Sequence, residues 1–430
     1  MSRPGSKYSF LRKEFFTSVA ISLKYRNYRL YLGGMCISLI GTWMQQTAIS
    51  WLVYKLTGSV FLLATITFTA QIPILLATPF TSILADRTDR RTILLITQSL
   101  SALQALLLAV LTLSGLIAIW HLLFLSLFIG LVNALDSPTR QAFYPGLVPK
   151  ENLGNAIALN SAAINGSRLI GPAIGGLLIG MFGEGICFLI NGLSFLGVLI
   201  TLQKMQLSGS PEKLIHRKLL CDLSEGFSYV WGNLPIRTLL LLMSCVSFFG
   251  LPLVTFLPAY VKDLLRGESE MLGLLLSCIG IGSLIAACWL AICKKTSGLG
   301  KTAALSTLLL GICFLNLSFI RIPCIAALIC AAAGFFIILT VASIHTLLQH
   351  VSAEDKRGRV MGYLTMTFTG ISPLGGLVLG ILENQLGLPG LILLSGSCCI
   401  FIGAVFEHYR HRIQEQIVAA LSPARKNRNR

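Results

Sequence analysis

The chain has 430 residues, 54% of them hydrophobic and only 12% charged, and a formal net charge of +17. A soluble globular domain carries about a quarter charged residues, so this composition excludes an ordinary soluble enzyme or binding module and fits a polytopic membrane protein. The expected fold class is an all-α polytopic membrane protein with twelve transmembrane helices in two six-helix pseudo-symmetric bundles.

Runs long enough to span a bilayer, about 20 apolar residues, fall at 29–54, 59–84, 92–113, 117–139, 153–180, 183–203, 237–261, 271–293, 299–319, 322–348, 359–382 and 387–407. The expected organisation is a cytoplasmic N-terminal arm (1–28), a first six-helix bundle (29–203), a cytoplasmic linker with an amphipathic helix (204–236), a second bundle (237–408) and a basic cytoplasmic tail (409–430). With the N-terminus inside and sides alternating, 29 of the 34 Lys and Arg fall on the inner side. Four, Lys55, Lys262, Arg266 and Arg321, fall outside, and Arg168 lies within a span. That asymmetry is the positive-inside signature and predicts both termini in the cytoplasm. The net positive charge is therefore topological, and no nucleic-acid partner is expected. The first apolar run is too long for a secretory signal and lacks a cleavage-like site, so no signal peptide is expected.

In chain order, Tyr25-Arg26-Asn27-Tyr28-Arg29 is an aromatic and basic interfacial anchor. Span 1 carries Trp43, Gln45 and Gln46 near its middle. Gln45 and Gln46 point about 100° apart, so at most one faces a given cavity squarely; the alternative to a cavity is an interhelical hydrogen bond. Span 2 contains Pro73 and Pro79, which predict a kink. The polar turn Leu84–Arg91 holds Asp86, Arg87, Asp89, Arg90 and Arg91 and must lie at a membrane surface. At the inner end of span 4, Asp136 and Arg140 are four apart, a spacing that allows a local ion pair if the helix persists through Pro138. Asn133 precedes them, and Asn152 is the expected cap of span 5.

Span 5 is the most informative stretch. Ser167, Gly171, Gly175 and Gly176 form a smooth face for close helix approach. Pro172 cannot donate to the carbonyl of Arg168 and predicts a bend. Arg168 lies about 15 residues into the span, near the membrane midplane. An intramembrane arginine faces the protein interior and is a functional candidate by default; the structural alternative is that it bonds carbonyls freed by the kink. Gln45, Gln46, Asn133, Asn165, Arg168 and His345 are the candidate cavity residues. Arg168 without an evident acidic partner favours an anionic or polar substrate.

The linker 204–235 carries Leu219, Leu223, Phe227, Val230 and Trp231 at helical spacing, an amphipathic surface helix. In the second half, Ser372–Gly380 echoes Gly171–Gly180, and a duplication of six spans marks a large class of secondary transporters. Glu383, Asp136 and His345 are the weak candidates for ion coupling. The twelve Cys are scattered without a C-x-x-C pair, so neither zinc nor a disulfide framework is expected. His408 and His411 read as interfacial, and Gly300-Lys301-Thr302 lacks the first glycine of a phosphate loop. No catalytic residue, metal site or organic cofactor is expected.

At Asp86-Arg87-Thr88-Asp89-Arg90-Arg91 the chain resembles the signature between helices 2 and 3 of the major facilitator superfamily, with Ser82 and Asp89 in place of its two glycines. Trp51–Ser59, Asp136–Gln141, Leu147–Pro149, Arg168–Gly176 and Glu225–Val230 resemble the drug and siderophore exporter branch, similar to the enterobactin exporter. The resemblance covers most of the first half and the linker; the second half matches mainly in pattern. It implies a secondary active exporter working by alternating access, with protons as the coupling ion. Asp86 would cap the inner start of helix 11 near Gly358 and Arg359 when the inner side is closed, an interaction that helix polarity favours. Arg87, Arg90 and Arg91 would serve local ion pairs and topology. Gly171, Pro172, Gly175 and Gly176 match the superfamily's antiporter motif, with Ser167 where glycine is usual, which favours export. The implied partners are a small-molecule substrate and membrane lipids, in a monomer of a bacterial-type inner membrane. Two other readings remain: a lipid or lysophospholipid translocator of the same fold, and a non-transporting scaffold or sensor.

Overall fold

The computed structural model describes residues 21–206, 227–292, 298–354 and 356–426, with side chains described except at 78–80, 82–87, 291 and 411–426. Six helices precede the linker: α1 (Arg26–Thr57), α2 (Val60–Arg87), α3 (Arg90–Leu113), α4 (Ile119–Phe143), α5 (Leu153–Phe182) and α6 (Glu184–Lys204). After it come α7 in pieces (Leu234–Cys245, Val246–Gly250, Pro252–Thr255, Leu257–Ala259, Tyr260–Leu264), α8 (Ser269–Ile292), α9 (Leu299–Phe319) and α10 (Pro323–Val351). The last rod, begun by Arg357–Met366 and Thr367–Ile371, runs from Ser372 to Lys426 and breaks at Gly387, so it comprises α11 (357–386) and α12 (388–426).

Ten segments of the described chain are long and apolar enough to cross a membrane. The last of them contains the Gly387 break, and α1 is a further 32-residue helix below that hydropathy because of its polar middle. The exterior is apolar: Val110, Phe124, Met181 and Phe401 are all about two-thirds exposed, as side chains facing lipid must be. Glycine supplies the sharp reversals. Gly58 (φ +61°) closes α1 through its N–H to the Tyr54 carbonyl, and Gly387 (φ +66°) separates α11 from α12.

The helix ends gather into two faces. On one, Asn27 donates to the Gln206 carbonyl (2.7 Å), Arg91 to Gln203 (2.8 Å), Arg90 to Ala142 (3.0 Å) and Tyr28 to Ala156 (2.7 Å). This is the basic face. On the distal face Lys55 pairs with Glu184 (3.0 Å) and Ser318 donates to the Pro389 carbonyl (2.9 Å).

Several expectations change. Helix α4 does persist through Pro138, and Arg140 pairs with Asp136. Asn152 does not cap α5 with its side chain; its amide donates to the Tyr25 hydroxyl (2.8 Å) instead. Span 7 is not a regular helix, because two wide π-turns, Val246–Gly250 and Tyr260–Leu264, flank Pro252 and Pro258. Of the linker helix, Leu219 and Leu223 lie outside the described residues, while Phe227 and Trp231 stack with centroids 5.7 Å apart on an exposed face. Arg237 lies 5.4 Å over the Trp231 ring. Ten cysteines are described and all are free.

Candidate functional site

The site is defined by how α5 meets its two neighbours. Toward α1, a Cβ on Gly171 would lie 2.5 Å from the Trp43 Cβ and 2.9 Å from the Ile40 carbonyl. Gly175 faces Met44 in the same way. Toward α8, a Cβ on Gly176 would meet the Ser269 carbonyl at 2.6 Å, and one on Gly273 would meet the Pro172 carbonyl at 2.5 Å. Only glycines allow these backbones to touch. Ser269 and Ser277 then donate to the Gly176 and Leu169 carbonyls (3.1 and 3.0 Å). Small residues at 171, 175 and 176 thus serve both contacts of α5, as their sequence pattern predicts.

At about 100° per residue, the side chains at 161, 165 and 168 fall in the wedge between the α1-facing and α8-facing stripes. The α8-facing stripe is covered at Leu169 and Gly176 but bare at Ala158 and Ala162, which are exposed. The two bundles therefore touch along the distal half of α5 and part along its basic half. The other approaches agree. A Cβ on Gly380 of α11 would lie 2.9 Å from the Phe61 Cα of α2, and Gly370 faces Leu75. The Tyr54 hydroxyl of α1 donates to the Asp263 carboxylate of α7. The result is a cleft that opens on the basic face and is shut on the distal face.

Arg168 sits where the cleft ends. Its guanidinium carbon is 4.8 Å from the centroid of the Trp43 ring, and the side chain is half-buried. Among the described residues it has no carboxylate at ion-pairing distance, and it makes no hydrogen bond to a carbonyl freed by Pro172. No described residue therefore neutralises the charge, although burying it in a membrane costs about 2.5–3.5 kcal/mol on insertion scales. The ring face offsets part of that, by about 0.5–2 kcal/mol. Asn165, one turn toward the basic face, is half-buried and donates to the carbonyl of Ser161 (2.9 Å).

The other cavity candidates scatter. Gln45 is a correction: its Nε2 donates to Gln104 Oε1 (3.0 Å) and its Oε1 accepts from Asn191 (2.8 Å), within a buried α1–α3–α6 network. Both ends of its amide are used inside one bundle, so it does not line the cleft. Gln46, on a different face of α1, is exposed. Asn133 is half-buried on α4 and His345 is exposed on α10. The structure brings Asn165 and Arg168 together and adds Trp43 and Ser161, which are not among the candidate cavity residues of the sequence. The signal for Trp43 was its position beside two glutamines in span 1.

Among the coupling candidates, Asp136 is buried and engaged by Thr97 (2.7 Å), Gln98 (2.8 Å) and Arg140, while Arg140 also reaches the Met35 sulfur (3.0 Å). This cluster lies wholly within the first bundle. Glu383 is half-buried beside the Tyr54–Asp263 contact and interacts electrostatically with both partners. Of the polar turn, the side chains of Asp86 and Arg87 lie outside the described residues. Arg90 and Arg91 reach carbonyls near the C-terminal ends of α4 and α6, where a cation is favoured by helix polarity. Both thus bind helix ends of their own bundle. Asp89 caps α3: its carboxylate accepts from the Thr92 N–H (3.0 Å) and hydroxyl (2.7 Å) and from the Arg91 N–H (3.4 Å). That cap gives a physical reason for an acid where the superfamily signature has glycine.

The family model described as "Transmembrane secretion effector", a branch of the major facilitator superfamily, matches residues 19–429. The chain belongs to this family. As a major facilitator transporter it is 27% identical over 391 residues to the staphyloferrin A transporter of Staphylococcus aureus, covering 90% of this chain and 97% of that protein. It is 25% identical over 369 residues to the multidrug efflux pump Tap of Mycolicibacterium fortuitum, covering 83% and 89%. In fold it is similar to the nucleoside transporter NupG (TM-score 0.70, 14% identity, covering 90% and 98%). It is also similar to a D-xylose-proton symporter (TM-score 0.66, 15% identity, covering 90% and 96%). These relatives are transporters and not enzymes, and the superfamily is a multi-pass membrane family that moves small molecules.

Proposed function

We propose that this major facilitator protein is a secondary active exporter that moves a small drug- or siderophore-like organic molecule by alternating access, coupled to the proton gradient. The observation that carries the reading is the bare basic half and covered distal half of the α8-facing stripe of α5, with Arg168 at the boundary. The excess of Lys and Arg on the basic face supports a cytoplasmic placement of that face, with the cleft opening inward, where an exporter loads. The antiporter-like span 5 and the likeness to a multidrug efflux pump support export of such a molecule.

Alternating access then consists of breaking the α5–α8, α2–α11 and α1–α7 contacts at the distal face and closing the basic face. Glu383 is the coupling candidate whose surroundings change in that step, because it lies beside Tyr54 and Asp263. Asp136 is enclosed in one bundle and keeps its partners. We place the protein as a monomer in a bacterial-type inner membrane, with both termini cytoplasmic and lipid as its remaining partner.

Untargeted metabolite comparison of medium from deletion and complemented cells tests this. Loss of a secreted small molecule on deletion, restored by the gene, is expected. Unchanged medium with altered membrane lipids would replace the reading with lipid translocation.

A further inference from the structure

Resting on the transporter reading, we infer that Arg168 and Trp43 form the anchoring point for a carboxylate on the transported molecule. The argument starts from charge. Arg168 is a fixed cation in the middle of α5, and among the described residues no acid lies at ion-pairing distance from it. The acids within helices are committed elsewhere or lie near helix ends: Asp136 holds Arg140, Glu184 holds Lys55 and Glu407 holds Arg410. Glu270 packs beside Gly180 at the distal end of α5, and Glu383 lies beside Asp263. A carboxylate entering from the cleft would supply the negative charge that no described residue brings to Arg168.

Geometry selects the kind of anion. The Arg168 guanidinium carbon lies 4.8 Å over the Trp43 ring, and among the described residues no partner takes up its N–H groups. Those donors form a planar fork that a carboxylate accepts through two parallel hydrogen bonds. No Lys or second Arg stands in the wedge at 161, 165 and 168, so a phosphate dianion would stay half-neutralised there. One guanidinium matches one carboxylate. Ser161 and Asn165, in the same wedge toward the basic face, offer a hydroxyl and an amide to a further polar group of the same molecule. The Trp43 ring beside Arg168 suits an apolar or aromatic portion.

The test uses full-length protein in lipid nanodiscs, with Trp43 retained as sole tryptophan. Benzoate, succinate and citrate are the probes; benzamide, inorganic phosphate and ethidium are the counter-probes. Trp43 emission and thermal stability are read. Saturable responses to at least one carboxylate and none to benzamide are expected. Arg168→Lys, which keeps the charge but loses the fork, is expected to weaken the response about tenfold. Should that variant fail to fold, Trp43→Phe in a thermal assay serves, with carboxylate protection retained through the aromatic face. Absence of a carboxylate response, an equal response in Arg168→Lys, or a preference for phosphate or ethidium overturns the inference. Exchange of ethidium across proteoliposomes without carboxylate binding would leave the transporter reading standing and remove this one. Carboxylate binding without exchange of any probe would do the reverse.

Discussion

The hydroxyl of Tyr54, on α1, donates to the carboxylate of Asp263, on α7, and this bond joins the two bundles at their distal ends. A hydrogen bond to a charged group contributes about 1.5–3 kcal/mol. Tyr54→Phe removes the donor with little change in shape. The expected outcome is a shift of about tenfold or more toward the distal-open state. Thiol labelling of a cysteine placed at Leu56, in a cysteine-depleted background, reads it as faster modification.

The α5–α8 contact gives a second prediction. A methyl group at Gly273 would press on the Pro172 carbonyl, and overpacking of this kind costs about 1–3 kcal/mol. Gly273→Ala should therefore disfavour the distal-closed state and slow export. Gly154→Ala, at a position with open space around it, should leave transport near wild type. Export rates at equal expression check both.

Gln45 tests the division between scaffold and cleft. Gln45→Ala strands the amides of Gln104 and Asn191 inside the first bundle. A loss of about 1–3 kcal/mol of stability is expected, seen as a lower Tm with an unchanged KM for the exported compound. A raised KM at unchanged Tm would return Gln45 to the cleft.

Much of this architecture is legible in the sequence, for reasons that differ by element. The spans follow from apolar runs of bilayer length, and the Asp136–Arg140 pair follows from i,i+4 spacing. The glycines of α5 also announce close packing. What the sequence hides is partnership across distance. Gln45 reads equally well as a cavity or a bonded residue until Gln104 and Asn191 are in place. Tyr54 and Asp263 are 209 residues apart, and the stretch that holds Tyr54 gives no sign of its partner. The π-turns of α7 arise from tertiary fit around Pro252 and Pro258, so hydropathy could mark that span but not its breaks.

Asp89 supplies a pH prediction. Burial pushes its carboxyl up, but the Thr92 hydroxyl, the Thr92 and Arg91 N–H groups and the Arg91 charge outweigh that and hold it below the usual carboxylate range. A depressed carboxyl contributes stability that is present above its unfolded value and lost as pH falls through the folded one. Asp89→Ala should lower Tm at neutral pH, consistent with loss of an N-cap worth about 1 kcal/mol. The gap to wild type should close on acidification below the usual carboxylate range. A gap that is constant with pH would assign the effect to something other than the charged cap.

Alternating access itself is tested most directly by distances measured at both faces of the same contact. Spin labels at Gly154 and Ile292 report the basic ends of α5 and α8, and labels at Phe182 and Glu268 report the distal ends. On adding the exported compound identified from the medium, the basic-face distance should shorten while the distal one lengthens. Distances that stay unchanged at both faces, in protein that binds the compound, would contradict the account.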